Sequence, residues 1–409
     1  MIILKNVRVF DGVNQELAEG QTIVVDGGLI KDILPDGKET IADAETVDMS
    51  GAVVSPGFID CHLHFLLEEI PDKNRQMNDQ SAGGVIFPNA DSYVAYRGAA
   101  AAKTTLHAGI TTAFDGGGVN YIDVALREAI SLGYVEGPDY YISGKNITAW
   151  PSHFRGFGEE ISGPWNMRKA VRDRLHWGVN HIKMEMSAPI RSLGRSLEKS
   201  SFTLEEIQAA TDEAHSAGLQ VSAHARGARP IIDSINGGID VICHGTGIND
   251  EGIELMLKKG LYLLPTLASP PVKAEPHLVA AKSARVIELL EATGKTQWES
   301  VRRAYKAGVK MAMSTDCGGV GIKHGENAKE LLRMKEIGMS NIECLRAATS
   351  EAAKAVRLDD TRGRIAKGLK ADIIAFSGNP LDDLNKVMDV NFVMLSGKVI
   401  KNQEYATKR

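Results

Sequence analysis

The sequence contains no apolar run long enough to span a bilayer, which excludes a helical integral membrane protein. Its opening, MIILKNVRVFDG, interrupts a short apolar run with Lys5 and Arg8 and offers no small-residue cleavage site, so no secretory leader is expected. Cysteine is scarce. Cys61, Cys243, Cys317 and Cys344 are scattered over 409 residues without a CxxC pair. That argues against a disulfide framework and fits a reducing cytosol, so a cytoplasmic location is expected. An excess of positive charge is missing too. The net charge of −5 and a pI near 6.2 give no electrostatic reason to expect nucleic acid or an anionic membrane as a partner.

What is present is an ordinary globular composition, 43% hydrophobic and 24% charged, in a chain long enough to bury a sizeable core. The first fifty residues read as short strands divided by turn pairs such as Asp11-Gly12 and Asp26-Gly27, and the C-terminal end (ADIIAFSGNP, VNFVMLSGKVIKN) reads the same way. Neither end can make a stable sheet alone. Residues 1–54 and 359–409 are therefore expected to pair into one small composite β-sandwich domain, with residues 55–358 inserted between them.

In that insert, eight β-rich runs alternate with helical patterns: GFIDCHLHF, GITTAFDGG, DYYISG, VNHIKMEM, LQVSAHA, IDVICHG, LYLLPTLA and VKMAMSTD. Thr203/Glu206 and Ser340/Glu343 have capping-box spacing, and Gly218 and Gly260 suit helix ends. Alternating strand and helix implies parallel strands with crossover helices, and eight units point to an α/β fold of the (β/α)8 TIM-barrel type. The polar stretch over residues 65–97 leaves the first barrel strand at the end where barrel loops build sites, and is read as a candidate lid or substrate wall.

The chemistry concentrates at strand ends. Residues i and i+2 of a strand share a face, so Asp60, His62 and His64 are expected to face one way. An isolated HxH says little, but VSAHARG ends in His224, VICHGTG in His244 and MAMSTDCGG in Asp316. HIKMEMS carries Lys183 among apolar neighbours, where an unpaired ammonium is costly. Four histidines and a carboxylate around one lumen suit zinc or a similar divalent ion.

In the motif PGFIDCHLH and in the order HxH, Lys, His, His, Asp, the chain resembles the amidohydrolase superfamily. HAGITTAFDGGG and GRIAKGLKADIIAFSGNPL resemble its branch of imidazolonepropionase-related hydrolases and Xaa-Pro-type dipeptidases. The resemblance implies a first metal on His62, His64 and Asp316, a second on His224 and His244, and Lys183 carboxylated on its ε-nitrogen as the bridge. It further implies two divalent ions of the zinc type, a small-molecule substrate and a homo-oligomer. Where dipeptidase-like relatives carry Ser-Gly-Gly after the lysine strand, this chain has MSAPIRS.

The expected reaction is hydrolysis of an amide C–N bond in a small substrate such as a dipeptide or N-acyl amino acid. A hydroxide bridging the ions would attack, with Asp316 as catalytic proton shuttle. Arg226 and Arg229 are candidate clamps for a substrate carboxylate. His153 is a candidate substrate contact, with Trp150 and Phe154 as an apolar wall. Two other readings compete: a mononuclear hydrolase or deaminase of a cyclic amidine or imidazolone, and a non-catalytic barrel scaffold. Tyr121, His107, His176, His181, His215, His277 and His324 read as helix, loop or core positions. FDGGGVN lacks the lysine and the spacing of a phosphate loop and reads as a turn.

Overall fold

The computed structural model of the chain describes residues 1–38, 44–67, 91–149, 153–154, 157–188, 197–268, 284–319 and 322–408. Residues 68–90 of the expected substrate wall, His277 and Trp150 lie outside them. Residues 91–97 of that stretch are not loop: they open the helix Asp91–His107.

The N-terminal strands are β1 (Ile2–Val9), β2 (Ala18–Asp26), β3 (Leu29–Pro35), β4 (Glu45–Asp48) and β5 (Val53–Pro56). β1 is shared. Its first half, Ile2–Lys5, pairs in parallel with β4, while Arg8 and Val9 pair with Val53 and Val54 of β5. The sheet therefore divides at β1 into two leaves.

The barrel strands come next: β6 (Phe58–Leu63), β7 (Ile110–Asp115), β8 (Asp139–Tyr141), then β9 (Ile147–Thr148) and β10 (Glu159–Glu160) as short extensions. They continue with β11 (His181–Glu185), β12 (Gln220–Ala225), β13 (Val241–His244), β14 (Tyr262–Leu264) and β15 (Lys310–Met311). All eight β-rich runs read from the sequence appear as strands. β6–β7–β8 are parallel neighbours, as are β11–β12–β13–β14–β15. Backbone bonds join the two groups into the barrel. Asn180 N donates to Ile142 O (2.8 Å) between β8 and β11. On the other side Cys61 N donates to Met313 O (3.0 Å), Asp316 N to His62 O (2.8 Å) and His64 N to Cys317 O (2.7 Å).

The chain then returns to the first sheet as β16 (Ile373–Phe376), β17 (Val390–Leu395), β18 (Lys398–Asn402) and β19 (Ala406–Lys408). β16 pairs with β5 and β19 with β4, so each leaf contains strands from both chain ends. Leu4, Val7, Ile23, Val47, Val54, Ile373, Phe392 and Met394 form its buried apolar core.

Local signals match local structure. Thr203 Oγ1 accepts from Glu206 N while Glu206 Oε2 accepts from Thr203 N (2.8 Å), and Ser340 and Glu343 repeat the arrangement. The largest apolar cluster lies between barrel strands and their helices. A second one, with Ile59, Cys61, Phe114, Val241, Cys243, Leu264 and Ala312, is drawn from strands on opposite sides of the ring. It fills the lumen and so supports the strand ends. All four cysteines are free and buried. Among the described residues no helix is long and apolar enough to cross a membrane.

One buried carboxyl gives stability a pH dependence. Burial pushes Glu330 up to about 8, against the backbone N–H groups of Leu267 and Ala268 that donate to its two oxygens. A folded-state value above the unfolded one means that the folded protein holds the proton more tightly. Stability from this group is therefore full below the ordinary glutamate range and declines as pH rises to about 8. We expect denaturant unfolding of Glu330→Gln to lack that component. The variant should gain relative to the parent by at most about 1.4 kcal/mol per pH unit across the window.

Candidate metal centre and active site

The alternation that should put Asp60, His62 and His64 on one face is interrupted. A register shift falls between Asp60 and Leu63. Asp60 is directed instead to Thr315, whose N and Oγ1 donate to it at 3.1 and 2.6 Å, and to Asn327 Nδ2 at 2.8 Å. Burial raises its carboxyl to about 6 against these donors. Asp60 thus braces the turn that carries Asp316, and the expectation that it shares the histidine face is corrected.

His62 and His64 face the lumen with ring centroids 5.0 Å apart. Further rings continue from them. His244 lies 5.8 Å from His62, His224 lies 4.5 Å from His244, and His153 stacks on His224 at 4.6 Å. Asp316 Oδ1 stands 3.5 Å from His62 Nε2 and 3.3 Å from His64 Nε2. Among the described residues two groups of three have ligand atoms within mutual reach of one ion: His62, His64 and Asp316, and His153, Glu185 and His224. Both His244 and Asp316 hold left-handed backbone, φ 75° and 58°. Such conformations are uncommon outside glycine, although Asp and His tolerate them best. At β13 the effect is to present two successive side chains inward: His244 against His224, and Cys243 with its sulfur 4.0 Å from Lys183 Nζ.

The donor chemistry fits divalent cations. Burial pulls His62 down to about 3 and holds His224 and His244 well below the ordinary histidine range, so these rings are neutral and present lone pairs. His224 Nε2 is buried without a hydrogen-bond partner among the described residues, and His64 Nε2 faces the Asp316 carboxylate. Burial also works against protonation of His64, yet the carboxylates of Asp316 and Asp115 raise it. A cation in that place would meet the same attraction. His244 Nδ1 is engaged by Thr266 Oγ1 at 2.7 Å, which leaves Nε2 as the atom available to a cation.

Lys183 is 1% exposed, and its Nζ lies 3.7 Å from Glu185 Oε1. Arg226 is buried behind His224, where Nη1 donates to Thr246 Oγ1 (2.8 Å) and Gln297 Oε1 (3.0 Å). Its Nε has no hydrogen-bond partner among the described residues. Burial lowers its guanidinium to about 10. Arg229 is not brought to the site. Its side chain is 69% exposed and closes on Asp233 one helical turn away, a surface pair at the rim of the helix Ala228–Asn236. Phe154 packs 5.2 Å from the His64 ring.

Sequence reasoning passed over several residues. Asp115, at the end of β7, accepts from Phe65 N, Tyr140 Oη and Gly117 N, and its Oδ1 lies 3.8 Å from His64 Nδ1. Its carboxylate stands behind the His64 ring, on the side away from Asp316. Glu185 follows Lys183 by two residues and was detectable by the same i, i+2 rule that singled out the HxH pair. The FDGGGVN turn also proves to be part of the site. A Cβ on Gly116 would fall 2.2 Å from His62 Cε1 and 2.9 Å from His64 Cε1, and one on Gly117 would fall 1.4 Å from Asn146 Oδ1.

Comparison with known proteins agrees with the resemblance read from the motifs. A family model described as the amidohydrolase family matches residues 53–400. Ochratoxinase of Aspergillus niger is 27% identical over 387 residues, covering 85% of this chain and 76% of its own length. Imidazolonepropionase of Cutibacterium acnes is 24% identical over 371 residues, covering 87% and 83%. Of solved structures, a Xaa-Pro dipeptidase with methionine bound in its active site superposes with a TM-score of 0.89 at 29% identity, over 98% of this chain and 100% of that one. A prolidase complexed with N-methylphosphonate-L-proline gives 0.86 at 26% identity, over 98% and 100%.

Gly116 supplies a direct check on the ligand geometry. In Gly116→Ala the methyl group must displace the His62 ring, which is confined by its neighbours. We expect circular dichroism like the parent's and metal affinity lower by at least about 10-fold, measured by competition with a chelator.

Proposed function

Because this chain belongs to the amidohydrolase family, hydrolases acting on carbon–nitrogen bonds, we propose that it cleaves the amide bond of a small carboxylate-bearing substrate. A dipeptide or an N-acyl amino acid fits best. In this reading His62, His64 and Asp316 would hold one zinc ion and His224 and His244 a second, with a carboxylated Lys183 as the ligand they would share. The observation that carries it is the run of inward imidazoles from His64 to His224 with Asp316 at one end and the buried Lys183 among them. Carboxylation turns a buried cation into an anion suited to bridge two cations.

Bound divalent ions would supply the positive charge that acidifies a water and polarises an amide carbonyl. The chain supplies the proton chemistry and the orientation. The Asp316 side chain is 29% exposed while His62 and His64 are closed off, so its carboxylate can reach both ligand and substrate. It takes the proton from the attacking water and delivers it to the departing nitrogen, without which an amide nitrogen leaves poorly. Arg226, whose Nε has no hydrogen-bond partner among the described residues, binds the substrate carboxylate. His153 and Phe154 close the wall beside His224 and His64. The substrate class is supported by two structural neighbours, one named a Xaa-Pro dipeptidase and the other a prolidase complexed with N-methylphosphonate-L-proline.

Two outcomes test this. Zinc-loaded protein screened against dipeptides, N-acyl amino acids and cyclic ureas should hydrolyse members of the first two classes and lose that activity when the substrate carboxylate is amidated. Preference for the cyclic compounds would favour the mononuclear alternative. Asp316→Asn should keep the fold and much of the metal, with kcat reduced by about 10²–10⁴-fold. Near-parental turnover in that variant would remove Asp316 from the mechanism.

A further inference from the structure

Glu185 is a fully buried carboxylate on β11, flanked by Met184 and Met186, in a site where the functional reading above gives it no task. A buried carboxylate needs a cation or several donors. Its surroundings say which. Asn146 Nδ2 donates to Oε1 at 2.6 Å, and that asparagine is packed against Gly117, where no side chain could fit. The strand register makes Glu185 the direct neighbour of His224 on β12, and Oε2 lies 3.8 Å from His224 Nδ1. His153 stacks on the same imidazole. The ligand atoms of all three side chains lie within 4.8 Å of one another. Two atoms bound to one zinc at about 2.0–2.2 Å each stand no more than about 4.4 Å apart, so small side-chain adjustments suffice.

We propose that Glu185 is a carboxylate ligand of the ion at His224, with His153 completing that half of the site. The proposal rests on the metal-dependent reading given above and adds to it. Lys183 explains why a second anion belongs there. While it is an ammonium 3.7 Å from Glu185, the two neutralise each other. Once it is carboxylated, two anions are adjacent in a buried place, and a cation between them relieves the repulsion. Glu185 therefore ties occupancy of the second position to the state of Lys183, and retains a protein anion for that ion when the carbamate is lost.

The test uses the full-length protein loaded with zinc, and in parallel with cobalt(II), after dialysis. Metal content, cobalt visible absorption and intact mass, which reports Lys183 carboxylation, are read together. Glu185→Gln keeps the size of the side chain and an oxygen for Asn146. It is expected to bind one ion per chain where the parent binds two, and to lose part of the cobalt spectrum. The double variant Lys183→Met/Glu185→Gln is expected to bind the second ion more weakly than Lys183→Met alone. Equal affinity in those two variants would show Glu185 to be only a counter-ion of Lys183 and overturn the proposal. So would a Glu185→Gln protein that keeps both ions and the parental spectrum. A parent that takes up two ions but hydrolyses no amide defeats the functional reading and leaves the ligand assignment standing. An active two-ion parent whose Glu185→Gln variant is unchanged defeats the assignment alone.

Discussion

The active end of this molecule depends on how the first and last barrel strands are joined. His62 O accepts from both Thr315 N and Asp316 N, His64 N donates to Cys317 O, and the Asp60 carboxylate binds Thr315 from the same side. These bonds bring residues more than 250 positions apart into one turn-and-strand unit, and Asp316 arrives 3.3 Å from His64 as a result. Convergence of the candidate ligands is a by-product of ring closure. A one-residue slip of this seam would reverse the side-chain faces and disperse the inward histidines and Asp316, so folding and site assembly are governed by the same few amides.

Departures from regular backbone occur at the same place. Left-handed backbone at His244 and Asp316, a register shift after Asp60, and a glycine turn pressed against two imidazoles all occur within the site. Each would be unfavourable by itself. They persist because the strands below are packed by the lumen cluster of Ile59, Phe114, Val241 and Leu264 and held from outside by strand and helix neighbours. A regular strand presents every second residue; these departures allow Cys243 and His244 both to face the lumen.

Much of this was legible in the sequence. Eight alternating units, two capping boxes and polar residues at the ends of apolar runs are local signals, and local signals give strands, caps and strand-end histidines. What escaped was set by geometry between distant segments. Nothing around Asp115 announces that its carboxylate stands behind His64, and nothing in GGG says which glycine must lack a Cβ. Asp60 was assigned to the wrong face because ideal alternation has no means of including a register shift. Arg229 looked equivalent to Arg226 because HARGARP does not show where β12 stops and the following helix begins. The structure separates them into one buried guanidinium and one solvated pair with Asp233.

The shared sheet has a consequence for synthesis. β5 has four buried residues, and its edge is covered by β16, which lies near the far end of the chain. As the chain emerges from the ribosome, β1 to β5 can associate early, but the edge at Val53–Pro56 stays open until residues 373–376 arrive. Throughout that interval an apolar strand edge is available to any other nascent chain. Premature termination anywhere in the barrel-encoding region would leave that edge permanently exposed, and the truncated product would be selected for aggregation and proteolysis before its strand-end histidines were ever brought together.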